Sequence, residues 1–149
     1  MTKKIKKSIA INAPKEKVWD VLLKDEYTRQ WYAEFSEGTR AETDWSKGSK
    51  ALFTDNKGNG IVGKIVENKK AELLSIEYQG AVESGKENYD SEMAKAVKGW
   101  MEIYKLSETN GVTDLTISSD MSEDHFDMMS LAWDKALQKI RGMAENRES

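Results

Sequence analysis

Cysteine is absent from the 149 residues. That excludes disulfides, thiolate catalysis and thiolate metal sites, and it leaves the compartment open. Histidine occurs once, as His125. A histidine-rich metal site needs more than one, and a Ser–His–acid triad would have to use a residue in the first turn of the last helix. A surface histidine at a helix start is the plainer reading. Carboxylates do not cluster at ligand spacing, so no metal or cofactor is expected and chelators should leave folding unchanged. No run approaches the ~20 apolar residues of a membrane span. The apolar stretch behind the basic start is too short for the core of a signal peptide. A soluble cytoplasmic protein is the expected setting.

The balance of charge is also thin on one side. A net charge of −3 gives little of the phosphate neutralisation on which sequence-independent nucleic-acid binding depends. The basic start, Lys3-Lys4-Ile5-Lys6-Lys7, reads as the solvated face of a first strand rather than a patch for anionic surfaces. What the chain does have is length for one domain spanning residues 1–149, enough to bury roughly 70% of the surface its unfolded form exposes. It also has five Trp and five Tyr, a composition of packed rather than disordered chains.

Periodicity divides the chain into an α+β pattern. Residues 4–12 alternate, with Ile5, Ile9 and Ile11 on one face, as a half-buried strand does. Pro14, the only proline, suits the first position of a helix reaching Lys24. A second helical turn is expected over 25–31 with Asp25 as its cap. Short runs then alternate with turn chemistry: strands at 39–43, 49–54, 61–67, 73–79, 99–107 and 112–120, separated by clusters such as Asn110-Gly111. Gaps this short favour an antiparallel meander. The glycines between Asp55 and Gly63 lack phosphate-loop spacing and lead into a strand, so a hairpin turn is expected. Residues 83–98 form a longer polar insertion with a short helix in 90–97, anchored by few apolar residues, the sizeable ones being Tyr89, Met93 and Val97. Finally, Ser122 caps a long amphipathic helix. Its apolar face carries Phe126, Met129, Trp133, Leu137, Ile140 and Ala144, and basic Lys139, Arg141 and Arg147 follow in its later half. An antiparallel sheet of about seven strands needs one face covered, and only this helix is long enough to cover it.

The order of elements, with Ile11-Asn12-Ala13-Pro14 running into Lys17-Val18-Trp19-Asp20-Val21-Leu22, Gln30-Trp31, Asp44-Trp45 with Gly48, Asn110-Gly111-Val112-Thr113, and the closing Trp133 to Ile140, resembles the helix-grip (Bet v 1-like, START-related, SRPBCC) superfamily. Within it, the chain is similar to the branch named after the activator of the heat-shock protein 90 ATPase. The likeness extends over nearly the whole chain, and the insertion before Lys98 departs from the simplest members. It implies a helix-grip fold, with a curved antiparallel sheet, two short helices after the first strand and a long C-terminal helix enclosing a hydrophobic cavity. Three functions follow as expectations. The first is non-catalytic binding of a small hydrophobic or amphipathic ligand. The second is a chaperone-linked protein-interaction module, which would have a filled cavity and an exposed patch. The third is a polyketide cyclase or aromatase-like enzyme.

In such a fold, core aromatics double as cavity wall. The residues expected there are Trp19, Trp31, Tyr32, Phe35, Phe53, Ile65, Tyr78, Trp100, Glu102, Tyr104, Phe126, Met129 and Trp133. Glu102 enters by parity, since it shares a strand face with Trp100, Tyr104 and Leu106. A carboxylate inside an apolar cavity is costly unless paired or neutralised. The preferred reading is therefore a bulge, or a place in water at the cavity mouth; the alternative is a ligand anchor or an acid/base.

Overall fold

A computed structural model describes residues 2–146; Arg147 lies outside them. The elements are β1 (Thr2–Ile11), α1 (Lys15–Leu23), α2 (Asp25–Tyr32), β2 (Arg40–Glu42), β3 (Lys50–Thr54), β4 (Gly60–Lys69), β5 (Leu73–Glu83), β6 (Lys86–Asn88), α3 (Glu92–Val97), β7 (Met101–Thr109), β8 (Val112–Ser122), a 3-10 turn (Glu123–His125) and α4 (Phe126–Glu145). The strands form one antiparallel sheet in the order β1-β8-β7-β5-β4-β3-β2, with β6 paired to β5. This is the α+β architecture expected from the pattern and the helix-grip arrangement that the resemblance implies, with one strand more than the meander supplies.

Local chemistry sets the ends of these elements. Pro14 takes the cap position of α1 with extended backbone, one residue outside the expected helix. Asp25 is the first residue of α2 rather than its cap. Its carboxylate is drawn instead to Arg29 at 2.6 Å, one turn on. Ser122 likewise does not cap α4 by a backbone bond; its hydroxyl meets His125 Nδ1 at 2.8 Å, and the 3-10 turn intervenes. His125 itself is exposed.

The insertion is more ordered than its polarity suggests. β5 continues to Glu83 because Ala81 and Val82 are buried. Ser84 and Gly85 both have positive φ, the geometry of a two-residue hairpin that suits the twist of the strands it joins. β6 then pairs back with Glu83↔Lys86 in register. Ser91 caps α3, its hydroxyl accepting from the Ala94 amide at 3.1 Å, and Ala94 and Val97 anchor that helix in the interior.

A single core cluster runs from Ile5 and Ile11 through Val18, Leu22, Leu74, Ile76, Leu115 and Ile117 to Leu137 and Ile140. α4 lies against α1, α2 and β1 and buries Trp133, Ala136, Leu137, Ile140 and Ala144. Between β4 and β5 the register shifts twice, at Val62/Gly63 and at Ile65/Glu67. Such irregularities bend and twist a strand. The bend leaves a space between the sheet and the helices that the core does not fill.

Candidate functional site

That space is a half-open cavity of about 370 Å³. Trp31 and Tyr32 reach it from α2, and Phe35, Ser36 and Thr39 from the connection that follows. The sheet supplies Phe53, Ile61, Tyr78, Glu102, Tyr104, Ser119 and Met121; the β3–β4 turn and the start of β4 supply Asp55, Asn59 and Gly60. Met93 comes from α3, and Met129 and Trp133 come from α4.

The aromatic wall is continuous. Trp31 packs edge-on against Tyr32 at 4.5 Å between centroids, and against Tyr104 at 6.4 Å. Trp133 meets Phe35 at 4.8 Å and Tyr104 at 6.0 Å. Edge-to-face pairs of this kind add to the stabilisation from burial alone. Trp31 is fixed further by its indole N–H, which donates to the Val21 carbonyl at 3.0 Å.

Hydrogen-bonding groups gather on the sheet side. Tyr78 donates to Glu102 Oε1 at 2.6 Å, and Tyr104 donates to Oε2 at 2.5 Å. β5 and β7 are adjacent, with Ile76 opposite Glu102 and Leu74 opposite Tyr104, so the pleat sets these side chains side by side. Glu102 is half-buried: protein surrounds its carboxylate, and the open side is the cavity. Burial raises its pKa, and the two tyrosine hydrogen bonds oppose that shift only in part. Burial and the nearby Glu102 charge push Tyr32, Tyr78 and Tyr104 well above the usual phenol value, so all three stay neutral donors. At the mouth, Asp55 is the opposite case. It accepts the amides of Lys57 and Asn59 and the Ser36 hydroxyl, and these bonds hold its pKa below the ordinary carboxylate value.

Of the residues expected on the wall, Trp31, Tyr32, Phe35, Phe53, Tyr78, Glu102, Tyr104, Met129 and Trp133 line this one cavity. Glu102 faces inward rather than sitting at a bulge or the wet mouth. Four others do not line it. Trp19 is sealed in the core on α1, which packs on α4, β7 and β8. Ile65 is fully enclosed between the two register shifts, and Ile61 takes the cavity position in β4. Trp100 precedes β7: Gly99, with φ +86°, turns the chain, and Trp100 bonds through its backbone to Val97 and Tyr78. Phe126 opens α4 under the Lys3 ammonium, 5.2 Å from its ring centroid. The residues missed at the mouth, such as Asp55, Asn59 and Met93, sit on turns and a short helix. Periodicity gives no facing for such positions.

An antiparallel sheet folded around a long helix, with a half-open cavity between them, defines the helix-grip class. The family model described as "Activator of Hsp90 ATPase homolog 1-like protein" matches residues 12–145, and the chain belongs to that family. Among solved structures it is similar to protein MLL2253 from Mesorhizobium loti, with 13% identity and a TM-score of 0.75 over 99% of this chain and 100% of that one. CalU16 from Micromonospora echinospora shares 16% identity at a TM-score of 0.70, over 99% and 78% of the two chains. The Aha1 dimer from Colwellia psychrerythraea gives 16% and 0.70, over 99% of each chain. Likeness at such identity shows the fold alone. No curated protein matches the chain. No helix among the described residues is long and apolar enough to cross a membrane.

Proposed function

We propose that this protein binds a small amphipathic molecule in the cavity and releases it unchanged. The observation that carries this reading is an unfilled apolar space with hydrogen-bonding groups gathered on one side, the usual make-up of a small-molecule site. Its volume of about 370 Å³ is near the low end of such sites and equals roughly a dozen waters at ~30 Å³ each. A single ring or short chain fits better than a long acyl chain. Three methionines line the cavity, Met93, Met121 and Met129, and their flexible thioethers adapt to varied shapes. The interaction-module alternative expects the cavity to be filled; an open cavity favours ligand binding. Native mass spectrometry of the protein purified from its own host tests the proposal. A bound small molecule that leaves on denaturation is the expected result. Uniformly bare protein, together with no change in Trp31 and Trp133 fluorescence across a panel of small amphipathic compounds, would overturn it.

The same reading gives the 83–98 segment a role. Met93 reaches the cavity from the six-residue α3 while remaining largely solvent-exposed. A short helix with two buried anchors opens at low free-energy cost. Amides of α3 should exchange faster than those of α4 and gain protection when the cavity is occupied. Ligand-induced protection confined to the sheet and α4 would remove any gating role.

A further inference from the structure

Resting on the ligand-binding reading above, we propose that the ligand is a small amphipathic cation, an organic ammonium whose charged end sits against Glu102 and the Tyr32 hydroxyl.

The first ground is the sign of the lining. Among the described residues, two charged side chains line the cavity, Glu102 and Asp55, and both are carboxylates; no described Lys, Arg or His lines it. Lys57 acts on Asp55 at the mouth, and the other nearby cations are already paired. Arg29 and Arg40, beside the mouth, pair with Asp25 at 2.6 Å and Glu42 at 3.5 Å. Lys4 pairs with Asp120 at 3.1 Å. Glu102 forms no ion pair among the described residues. A carboxylate walled in by protein is costly unless a cation accompanies it, and the described residues do not supply one.

The second ground is unused hydrogen-bonding capacity. Glu102 accepts one hydroxyl on each oxygen, about half of what a carboxylate can accept. Tyr32 lines the same cavity and is only 8% exposed, yet its hydroxyl has no hydrogen-bond partner among the described residues. An ammonium brings donors and no acceptor. It complements both remaining acceptors, the Glu102 carboxylate and the Tyr32 oxygen. A ligand carboxylate or phosphate would bring like charge to Glu102 and could satisfy only the tyrosine. The aromatic wall adds to the preference, because ring faces attract cations and repel anions.

Three probes of one shape separate the possibilities: phenylbutylamine, phenylbutanol and phenylbutyrate. They are titrated calorimetrically into wild type, Glu102→Gln and Tyr32→Phe, with Trp31 and Trp133 fluorescence reporting that the cavity is the site. At mildly alkaline pH, where the amine keeps its charge, the amine should bind about tenfold or more tighter than the other two, as a hydrogen bond to a charged group warrants. Glu102→Gln should remove most of that margin and leave the alcohol's affinity nearly unchanged; Tyr32→Phe should weaken the amine by a smaller factor. Phenylbutyrate binding as tightly as the amine, or amine affinity unmoved by Glu102→Gln, would overturn the charge assignment and leave the cavity reading standing. Failure of all three probes to bind wild type would overturn both. If Glu102→Gln does not fold, judged by circular dichroism, the ranking of the three probes on wild type decides.

Discussion

Trp133→Ala is expected to lower the unfolding free energy by about 3–5 kcal/mol, the range for truncating a buried tryptophan. Trp133 is 3% exposed and stands where three elements meet. It contacts Trp31 from α2, Phe35 beyond it and Tyr104 from β7. Truncation therefore loosens α4 from the sheet and from α2 together. One feature sets the size of the effect: Trp133 already borders open space. The void left by its indole would merge with the cavity rather than form a sealed hole, which water can then enter. The loss should fall toward the lower part of the range. For a chain of this size each kcal/mol moves the melting temperature by about 2–4 °C, so a drop near ten degrees is expected by calorimetry. Wild-type melting would show that the buried face of α4 is elsewhere.

Glu102→Gln is expected to act in the opposite direction, raising stability at neutral pH by about 0.5–2 kcal/mol, the size common to single stabilising substitutions. Burial raises the Glu102 pKa in the folded protein. The native state then holds this proton more tightly than the unfolded chain does, so stability falls as pH rises from the ordinary carboxylate value through the raised native one. The titratable groups facing Glu102 are Tyr32 from α2, Tyr78 from β5 and Tyr104 two residues along its own strand. All three are neutral there and leave the window to the carboxyl. Glutamine has no such proton, keeps one acceptor for the tyrosines, and should flatten that part of the profile. Denaturant unfolding of both proteins across acid to neutral pH checks this. A variant that is less stable at neutral pH with an unaltered slope would show that the carboxylate is not an electrostatic burden. Coupled with the expected loss of amine affinity, the result would mark a residue kept at a cost to folding.

Most of the fold was legible because its elements alternate cleanly. Ile5, Ile9 and Ile11 against lysines, Leu115 and Ile117 against polar neighbours, and the three-four spacing of α4 each admit one reading. The extension of β5 was not legible. Gly80-Ala81-Val82 carries no period-two signal, since all three are buried, and a small-residue run beside Ser84-Gly85 looks like loop. The cavity wall was legible where strand parity applied. Tyr104 and Glu102 face inward together as their spacing requires. The same parity failed two residues upstream at Trp100, where Gly99 ends the turn and the ladder with β5 begins only at Met101. Glu102 shows why a cost argument alone misplaces a residue. Its burial is tolerable because Tyr78, twenty-four positions away in sequence, arrives on the next strand, and pairing across strands does not show in local pattern.

The sheet joins its first strand to its last, with Thr2 opposite Ser122 and Ile11 opposite Thr113. This has a kinetic consequence. β1 is an edge strand with β8 as its only strand partner among the described residues, and that partner lies a hundred residues or more along the chain. During synthesis at about 5–20 residues per second, Ile5 and Ile11 have no partner strand for several seconds. Closing so long a loop is slow compared with forming local hairpins, and sheets built on distant pairings fold in milliseconds to seconds rather than microseconds. The lysines at positions 3, 4, 6 and 7 bear on that interval. Charge along an unpaired strand discourages pairing with other chains, so the basic start protects the strand that must wait longest for its place.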